Sequence, residues 1–509
     1  MRVTFLGHAG LFVETKHGSV LCDPWFTPAY FGSWFPYPRN DDLDLESILS
    51  PDYLYVSHLH RDHFDPAILS RVDRRARVLL PAFRFPGLER ALRDLGFGHV
   101  VRAPDGEALD LDGLEVAIVA MNQPADGPLG DSLLVLGDGT ARILDQNDAR
   151  PGDVPLLQRL GPYDAHFLQY SGAIWYPVVY DFSPEEKARL AREKRVNQMA
   201  RARQYVEWVG APNVFPSAGP PCFLDDDLFA LNDVDDDPTN IFPDQRVFLA
   251  ELADHRLPGE LVVPGTVVEL DGPTRTVAHP SDRAATEPFA DKRGYLSRYR
   301  ADWEPWLAEE RASWARPGLD LLGVLREWIE PILERAPITS AGVGGNVVLA
   351  FGPDEGIVVD FVEREVRPWR GETSVYRVDV DRALVEACAD ERLEDWVNSL
   401  FLSCRFRAHR EGPFNEYVMT FFKALSVERI DHVEECFRAA RRPDEHFERD
   451  GWRIERWCPH RQADLTRFGE ISDGVLTCAL HHWQFDLATG RCLTSDEHRI
   501  DAERIDDDR

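Results

Sequence analysis

The sequence predicts an α/β protein that ends in an all-β region, divided into three parts. Three observations predict it. Residues 1–25 alternate like paired strands, and helical and strand segments then alternate to about residue 285. Past residue 425, short strands surround a spaced pair of Cys/His motifs. Alternating elements argue for a layered domain. The length of 509 residues agrees with about three domains, at roughly 150 residues each.

The elements follow in order. Val3-Thr4-Phe5-Leu6 and Leu11-Phe12-Val13-Glu14 read as strands, and Ser19-Val20-Leu21-Cys22 follows a turn at His17-Gly18. Tyr53-Leu54-Tyr55-Val56 reads as a buried strand that runs into a cluster of histidines. Ser183-Pro184-Glu185-Glu186 is a capping box with Pro at the first helical position; its helix runs to about Val209 and stops at Gly210. That helix carries seven Lys or Arg against four Glu. It is read as a solvated face, with a cationic wall for an anionic substrate as the alternative. Residues 225–237 read as an acidic surface loop, since Pro238 excludes a calcium loop after Asp233, Asp235 and Asp237. Residues 286–335 read as helices. Strands and helices from Ile338 to about Leu425 form an α+β unit, with Gly342-Val343-Gly344-Gly345 as a hairpin turn. The expected domains are 1–285, 286–425 and 426–509.

Composition excludes several function classes. Lys and Arg number 57 against 88 Asp and Glu, a net charge of −31. Such a chain is a poor general binder of nucleic acid or of anionic membrane surfaces. The longest uncharged stretch, Ala336 to Pro353, is broken by Gly and Pro, so no transmembrane helix is expected. Eight cysteines in this length do not make a disulfide framework, and no signal segment opens the chain. The expectation is a cytoplasmic protein.

Two clusters carry chemistry. In the C-terminal one, Cys458-Pro459-His460 is followed after 17 residues by Cys478-Ala479-Leu480-His481. Two thiolates and two imidazoles suit zinc, or a [2Fe–2S] cluster with a Cys pair on one iron and a His pair on the other. The following His482-Trp483-Gln484-Phe485-Asp486 and Gly490-Arg491-Cys492 resemble the second ligand loop of Rieske ferredoxins, which favours the iron–sulfur cluster. His482 competes with His481, but C-x-x-H spacing selects His481. In the N-terminal cluster, Ser57-His58-Leu59-His60-Arg61-Asp62-His63 leaves a strand end. Four ligand types in six residues can point into one crevice: His58 and His60 for one metal, Asp62 and His63 for another. The competing reading is a set of polar loop residues.

The H-x-H-x-D-H motif and the strand-rich start resemble the metallo-β-lactamase fold. That resemblance implies an αββα sandwich, a first aspartate at Asp23 and a bridging aspartate, for which Asp148 is the candidate and Asp145 the second. Two family histidines are missing. Asn122, Gln123, Asp126 and Asp131 stand where one is expected, and Pro216–Cys222 holds no replacement for the other. His8 is read as structural, and His166 and His279 as core or surface residues. The order of Asp23-Pro24-Trp25, Tyr55–Asp65, Tyr170-Ser171-Gly172-Ala173, Pro216-Ser217-Ala218-Gly219 and Pro264-Gly265 resembles the CMP-N-acetylneuraminate monooxygenase family. That family carries its Rieske domain first, whereas here the motif comes last. The middle part resembles the sterol-carrier-like fold.

The expected function is a Rieske-fed oxygenase. Electrons from a reductase or ferredoxin would enter at Cys458, His460, Cys478 and His481. They would pass to mono- or dinuclear iron at His58, His60, Asp62, His63 and Asp148, with Asp62 and His63 as catalytic residues and zinc as the alternative metal. The substrate is expected to be a small anion such as a nucleotide-sugar. The alternative is a metal-dependent hydrolase with a redox-sensing Rieske domain. The oxygenase reading requires the terminal domain to dock on the N-terminal one.

Overall fold

The computed structural model describes residues 1–172, 174–439, 445–460, 463–480, 482–494 and 498–505. Its N-terminal part is two packed sheets. In the first, β1 (Arg2–Gly7), β2 (Gly10–Thr15) and β3 (Gly18–Cys22) are antiparallel, and β4 (Tyr53–Tyr55), β5 (Arg77–Leu80) and β6 (Val100–Arg102) continue in parallel from β3. The second contains β7 (Leu109–Leu111), β8 (Leu114–Met121), β9 (Asp131–Gly137), β10 (Arg142–Asn147), β11 (Ala165–Gln169) and β12 (Asn213–Ser217), in the order β12-β11-β10-β9-β8-β7. Two late strands, β13 (Val267–Asp271) and β14 (Thr274–Ala278), extend the first sheet beside β1.

Strand periodicity assigns the faces. Val3, Phe5, Leu11 and Val13 point into the layer between the sheets, where they meet Leu134, Leu136, Ile143 and Phe167. Leu6 and Phe12 point outward to the layer of the helices Pro66–Leu69 and Gly87–Asp94. Leu133 and Val135 point the other way, onto the layer that contains the helix Pro184–Val209. The result is the expected αββα sandwich. The long helix matches its sequence signals: the Ser183 hydroxyl accepts from the Glu186 amide, and Gly210 ends it in the left-handed conformation, φ 65°.

The middle region is a five-stranded sheet of β15 (Asn346–Ala350), β16 (Gly356–Asp360), β17 (Glu365–Pro368), β18 (Tyr376–Val380) and β19 (Phe406–Arg410). Helices Leu321–Arg335, Pro337–Val343, Arg382–Asp390, Glu416–Lys423 and Val427–Ala439 accompany it. Its core is continuous with Trp25, Tyr30, Trp34 and Trp175 of the sandwich, and the Trp34 indole donates to the Leu402 carbonyl at 2.8 Å. The C-terminal region is two small sheets. One joins β20 (His446–Arg449), β21 (Trp452–Glu455) and, from the chain end, Ala502–Arg504; the other joins β22 (Gly469–Ser472), β23 (Val475–Cys478) and β24 (Trp483–Asp486). Leu465, Phe468, Leu480 and Trp483 share one apolar cluster with Met199, Tyr205 and Val206 of the long helix. The terminal region therefore docks on the sandwich, as expected.

Three expectations are corrected. Gly344 is a left-handed helix cap after Val343, not a hairpin turn, because the chain reaches β15 from a helix. The 225–237 segment is not simply a surface loop: Asp225 and Asp233 are buried, the first paired with Arg311 and Arg405, the second with Arg195. The long helix is not simply a solvated face: Arg195 and Arg201 are buried. Lys194 is bound to the Tyr176 carbonyl, Arg195 to Asp233, and Arg189 to Glu186 and Glu193.

Candidate metal centre

The β4 strand delivers the H-x-H-x-D-H loop to one end of the sandwich. Asp65, capping the next helix, also accepts from Phe26 and Thr27 and so ties this loop to the one after β3. Asp23 leaves β3 in the left-handed region, φ 39°, and its carboxylate accepts from the Ser57 amide (2.7 Å), the Ser57 hydroxyl (2.6 Å) and His63 Nδ1 (2.8 Å). A buried carboxylate on Nδ1 fixes the tautomer and leaves Nε2 with its lone pair.

Two groups of donors result. His58, His60 and Asp148 form one; His8, Asp62 and His63 form the other. Asp148 stands between them, with its two carboxylate oxygens 3.9 Å from His58 Nε2 and 3.7 Å from His63 Nε2. His8, read from the sequence as structural, lies in the second group: the β1–β2 turn, with His8 at φ 53°, puts its Nε2 2.8 Å from Asp62. The other oxygen of Asp62 accepts from the Tyr30 hydroxyl at 2.6 Å. Asp131 stands 3.3 Å from His58 Nδ1, while the buried Asp145 lies outside both groups. Asn122 and Asp126 serve the backbone of the neighbouring loops, at the Arg84 and Gln123 amides.

Proton accounting shows that these donors fit a cation. The Ser57 hydroxyl gives its proton to Asp23, so His58 Nδ1, 2.9 Å from that oxygen, must donate to it, leaving Nε2 a lone pair. That Nε2 lies 2.6 Å from His60 Nδ1. His60 Nε2 faces the Asn398 amide oxygen at 2.7 Å and must be the protonated nitrogen. With both rings neutral, two lone pairs face each other at hydrogen-bond distance, which calls for a cation, a proton or a metal ion, between them. Beside the second group, His63 Nε2 and Oδ1 of the intervening Asp148 are buried without hydrogen-bond partners among the described residues. Buried polar atoms without partners are costly, and a bound cation removes that cost.

The electrostatics agree. Burial lowers the His58 pKa well below the imidazole range, which keeps its ring neutral and ligand-ready. Burial acts the same way on His63, but Asp148, Asp23 and Asp62 outweigh it and raise the pKa well above that range. Burial, then the charge of Asp148, raises the Asp131 carboxyl. A site that gathers several buried carboxylates around a neutral His58 draws positive charge, as the raised pKa of His63 shows.

A cavity of about 210 Å³ opens beside these residues, between the sandwich and the middle region. His60, Asp62 and Asp148 line its floor; Trp34, Trp175 and Leu402 line an apolar side. Arg150 and Lys423 supply its cations. The Arg150 guanidinium makes one hydrogen bond among the described residues, to Gln169 at 3.3 Å, and Lys423 donates to the Pro124 and Ala125 carbonyls. Neither pairs with a carboxylate among the described residues, unlike Arg189 and Arg195 of the long helix. The sequence reading missed both, because they come from different regions and neither belongs to a motif.

At the other cluster, Cys458 and Cys478 are buried thiols, Cys478 at the end of β23, and His460 stacks on Trp483 at 3.9 Å. His481 lies outside the described residues. His482 turns toward the long helix rather than standing as an exposed loop residue: its backbone is at φ 59°, and its ring meets the Asn197 backbone. Two buried thiols and an imidazole with a lowered pKa, about 4 through burial and despite Glu416, are the donor chemistry of a Rieske site.

Comparison with known proteins matches two segments of the chain. Residues 450–500 match the Rieske [2Fe-2S] domain, and residues 321–439 match the Rv3818-like, SCP2-like domain. The chain is 45% identical to the Rieske 2Fe-2S iron-sulfur protein Rv3818 of Mycobacterium tuberculosis, over 99% of this chain and 100% of that one. It is 26% identical to the 4-amino-L-phenylalanyl-[CmlP-peptidyl-carrier-protein] 3-hydroxylase of Streptomyces venezuelae, over 42% of each chain. It is 23% identical to the cytidine monophosphate-N-acetylneuraminic acid hydroxylase of Mus musculus, over 43% of this chain and 39% of that one. Among solved structures, the diiron β-hydroxylase CmlA from Streptomyces venezuelae aligns with a TM-score of 0.36 at 20% identity, over 55% of this chain and 54% of that one. Full-length similarity to Rv3818, together with the two matched domains and the sandwich in front of them, shows that the chain belongs to the Rv3818-like family, which joins a metallo-β-lactamase-like fold to a C-terminal Rieske domain.

Proposed function

We propose that this chain is a Rieske-fed oxygenase that hydroxylates a small anionic substrate. The observation that carries the reading is the docking of the Rieske ligand loop on the wall of the metal cavity. The helix Pro184–Val209 holds the Leu480 carbonyl through Arg201, and its Gln198 contacts the carbonyl of Gly172, which lines the cavity. A redox sensor needs no such adjacency, and an electron donor does. Two relatives named as hydroxylases support the same reading.

When loaded, the two centres would supply single-electron transfer and O₂ activation: one oxygen atom enters a C–H bond, and the other leaves as water with two electrons and two protons. His58, His60 and Asp148 would hold one metal ion, and His8, Asp62 and His63 the other. Asp23 would orient His63, and Tyr30 would orient Asp62. Arg150 and Lys423 would bind the anionic group of the substrate, in place of the long helix. Trp34, Trp175 and Leu402 would exclude water from the reacting carbon. A reductase or ferredoxin would reduce the cluster.

The test is a single turnover. Reduced, iron-loaded full-length chain is mixed with O₂, and cluster oxidation is followed. The reading expects fast oxidation, lost when His58 and His60 are both replaced by Ala. Oxidation unaffected by that double variant, or hydrolytic activity of zinc-loaded protein without O₂ or reductant, would support the hydrolase reading instead.

A further inference from the structure

The middle region reaches the metal centre through one side chain. Asn398 sits in the segment Val397–Phe401, a wide helical turn in which Asn398 itself departs from helical geometry (φ −95°, ψ 22°). That departure brings the side chain to His60, 338 residues earlier in the chain. Three contacts define the amide. Nδ2 donates to Asp395 Oδ2 at 2.8 Å and approaches the Gly127 carbonyl at 3.4 Å; Oδ1 faces His60 Nε2 at 2.7 Å. A carboxylate and a carbonyl both accept only, so they fix the NH₂ side of the amide. The oxygen that remains can only accept, so His60 must carry its proton on Nε2. The free lone pair is on Nδ1, which faces His58 Nε2 at 2.6 Å.

We propose that Asn398, oriented by Asp395, is a positioning residue that makes Nδ1 the ligating nitrogen of His60, so that the SCP2-like region completes the metal centre of the sandwich. This rests on the reading that His58, His60 and Asp148 hold a metal ion. Partners of this kind, on the far nitrogen of a ligating imidazole, commonly change metal affinity by roughly 10–100-fold. The middle region is then a wall of the active site. Its own interior is filled by side chains such as Trp396, Phe401, Phe421 and Phe422, all buried.

The test compares full-length wild type with Asn398→Leu, which loses the acceptor at similar size, and the double variant Asn398→Asp/Asp395→Asn, which keeps it while exchanging the amide and the carboxylate so that their hydrogen bond can still form. Zinc(II) and iron(II) affinities are measured by chelator competition, with the Rieske absorption spectrum as an internal check of folding. Histidine ¹⁵N NMR of the zinc-loaded wild type, with His60→Ala to assign the ring, reads which nitrogen is metallated. The proposal expects metallated Nδ1 and protonated Nε2, a loss of roughly 10–100-fold in Asn398→Leu, and affinity near wild type in the double variant Asn398→Asp/Asp395→Asn. Metallated Nε2, unchanged affinity in Asn398→Leu, or equal loss in both variants overturns it while the metal site stands. A wild type that binds neither ion overturns the metal reading as well.

Discussion

The Arg201 guanidinium donates a 3.0 Å hydrogen bond to the Leu480 carbonyl, 279 residues away in the second Rieske ligand loop. Arg201 is buried, and burial, then the nearby charge of Arg150, lowers its pKa. A guanidinium in such a position is a specific fastener, since its removal strands a buried carbonyl.

Arg201→Met should therefore loosen the docked loop without emptying the cluster. Loss of a charged hydrogen bond is worth about 1.5–3 kcal/mol, about a tenfold change or more in local opening. Hydrogen exchange in β23 and β24 should accelerate accordingly, with iron and sulfide content unchanged. Exchange rates equal to wild type would mean that the apolar contacts alone hold the interface.

Asp23→Asn tests the support beneath His63. The amide cannot accept from Ser57 and His63 as a carboxylate does, so His63 loses its fixed tautomer. Metal affinity of the N-terminal site should fall roughly 10–100-fold in chelator competition, while the Rieske spectrum stays as it is. An unchanged affinity would remove Asp23 from the account.

Asp225 is fully buried, and Arg311 and Arg405 reach it from two later segments. Asp225→Ala leaves the Arg405 guanidinium buried without its partner. Breaking a buried pair on one side costs about 3–5 kcal/mol. The thermal midpoint of the sandwich and middle region should drop clearly; a shift within error would show that water replaces the carboxylate.

His166 gives a pH dependence. Burial pushes its pKa down to about 3, and its Nε2 lies 2.9 Å from the Gln146 amide oxygen. A histidine with a depressed folded-state pKa binds more protons when unfolded, so its contribution is complete above about pH 6.5 and is lost as pH falls toward 3. Urea midpoints measured from pH 7 to pH 4 should fall more steeply for wild type than for His166→Gln. Parallel slopes would refute the assignment.

Local signals in the sequence were legible and distant ones were not. Ser183 and Gly210 bound their helix because capping is decided within one turn. The H-x-H-x-D-H loop was legible because a strand end concentrates its side chains. His8 was read as structural because only the pairing of β1 with β2, and the left-handed turn between them, carries it over Asp62. The basic helix misled for the same reason: its charges are answered by Asp233, Glu251 and the carbonyls of Tyr176 and Leu480, which no local pattern reveals. Arg150, Lys423 and Asn398 converge on one cavity from separate regions, so spacing could not have joined them.

The central claim is an iron centre beside a Rieske cluster in one chain. Anaerobic metal and acid-labile sulfide analysis of the full-length protein tests it most directly. The account predicts about three or four irons with about two sulfides per chain, the excess iron lost when His58 and His60 are replaced by Ala. About two irons and two sulfides, with zinc at the N-terminal site, would contradict it.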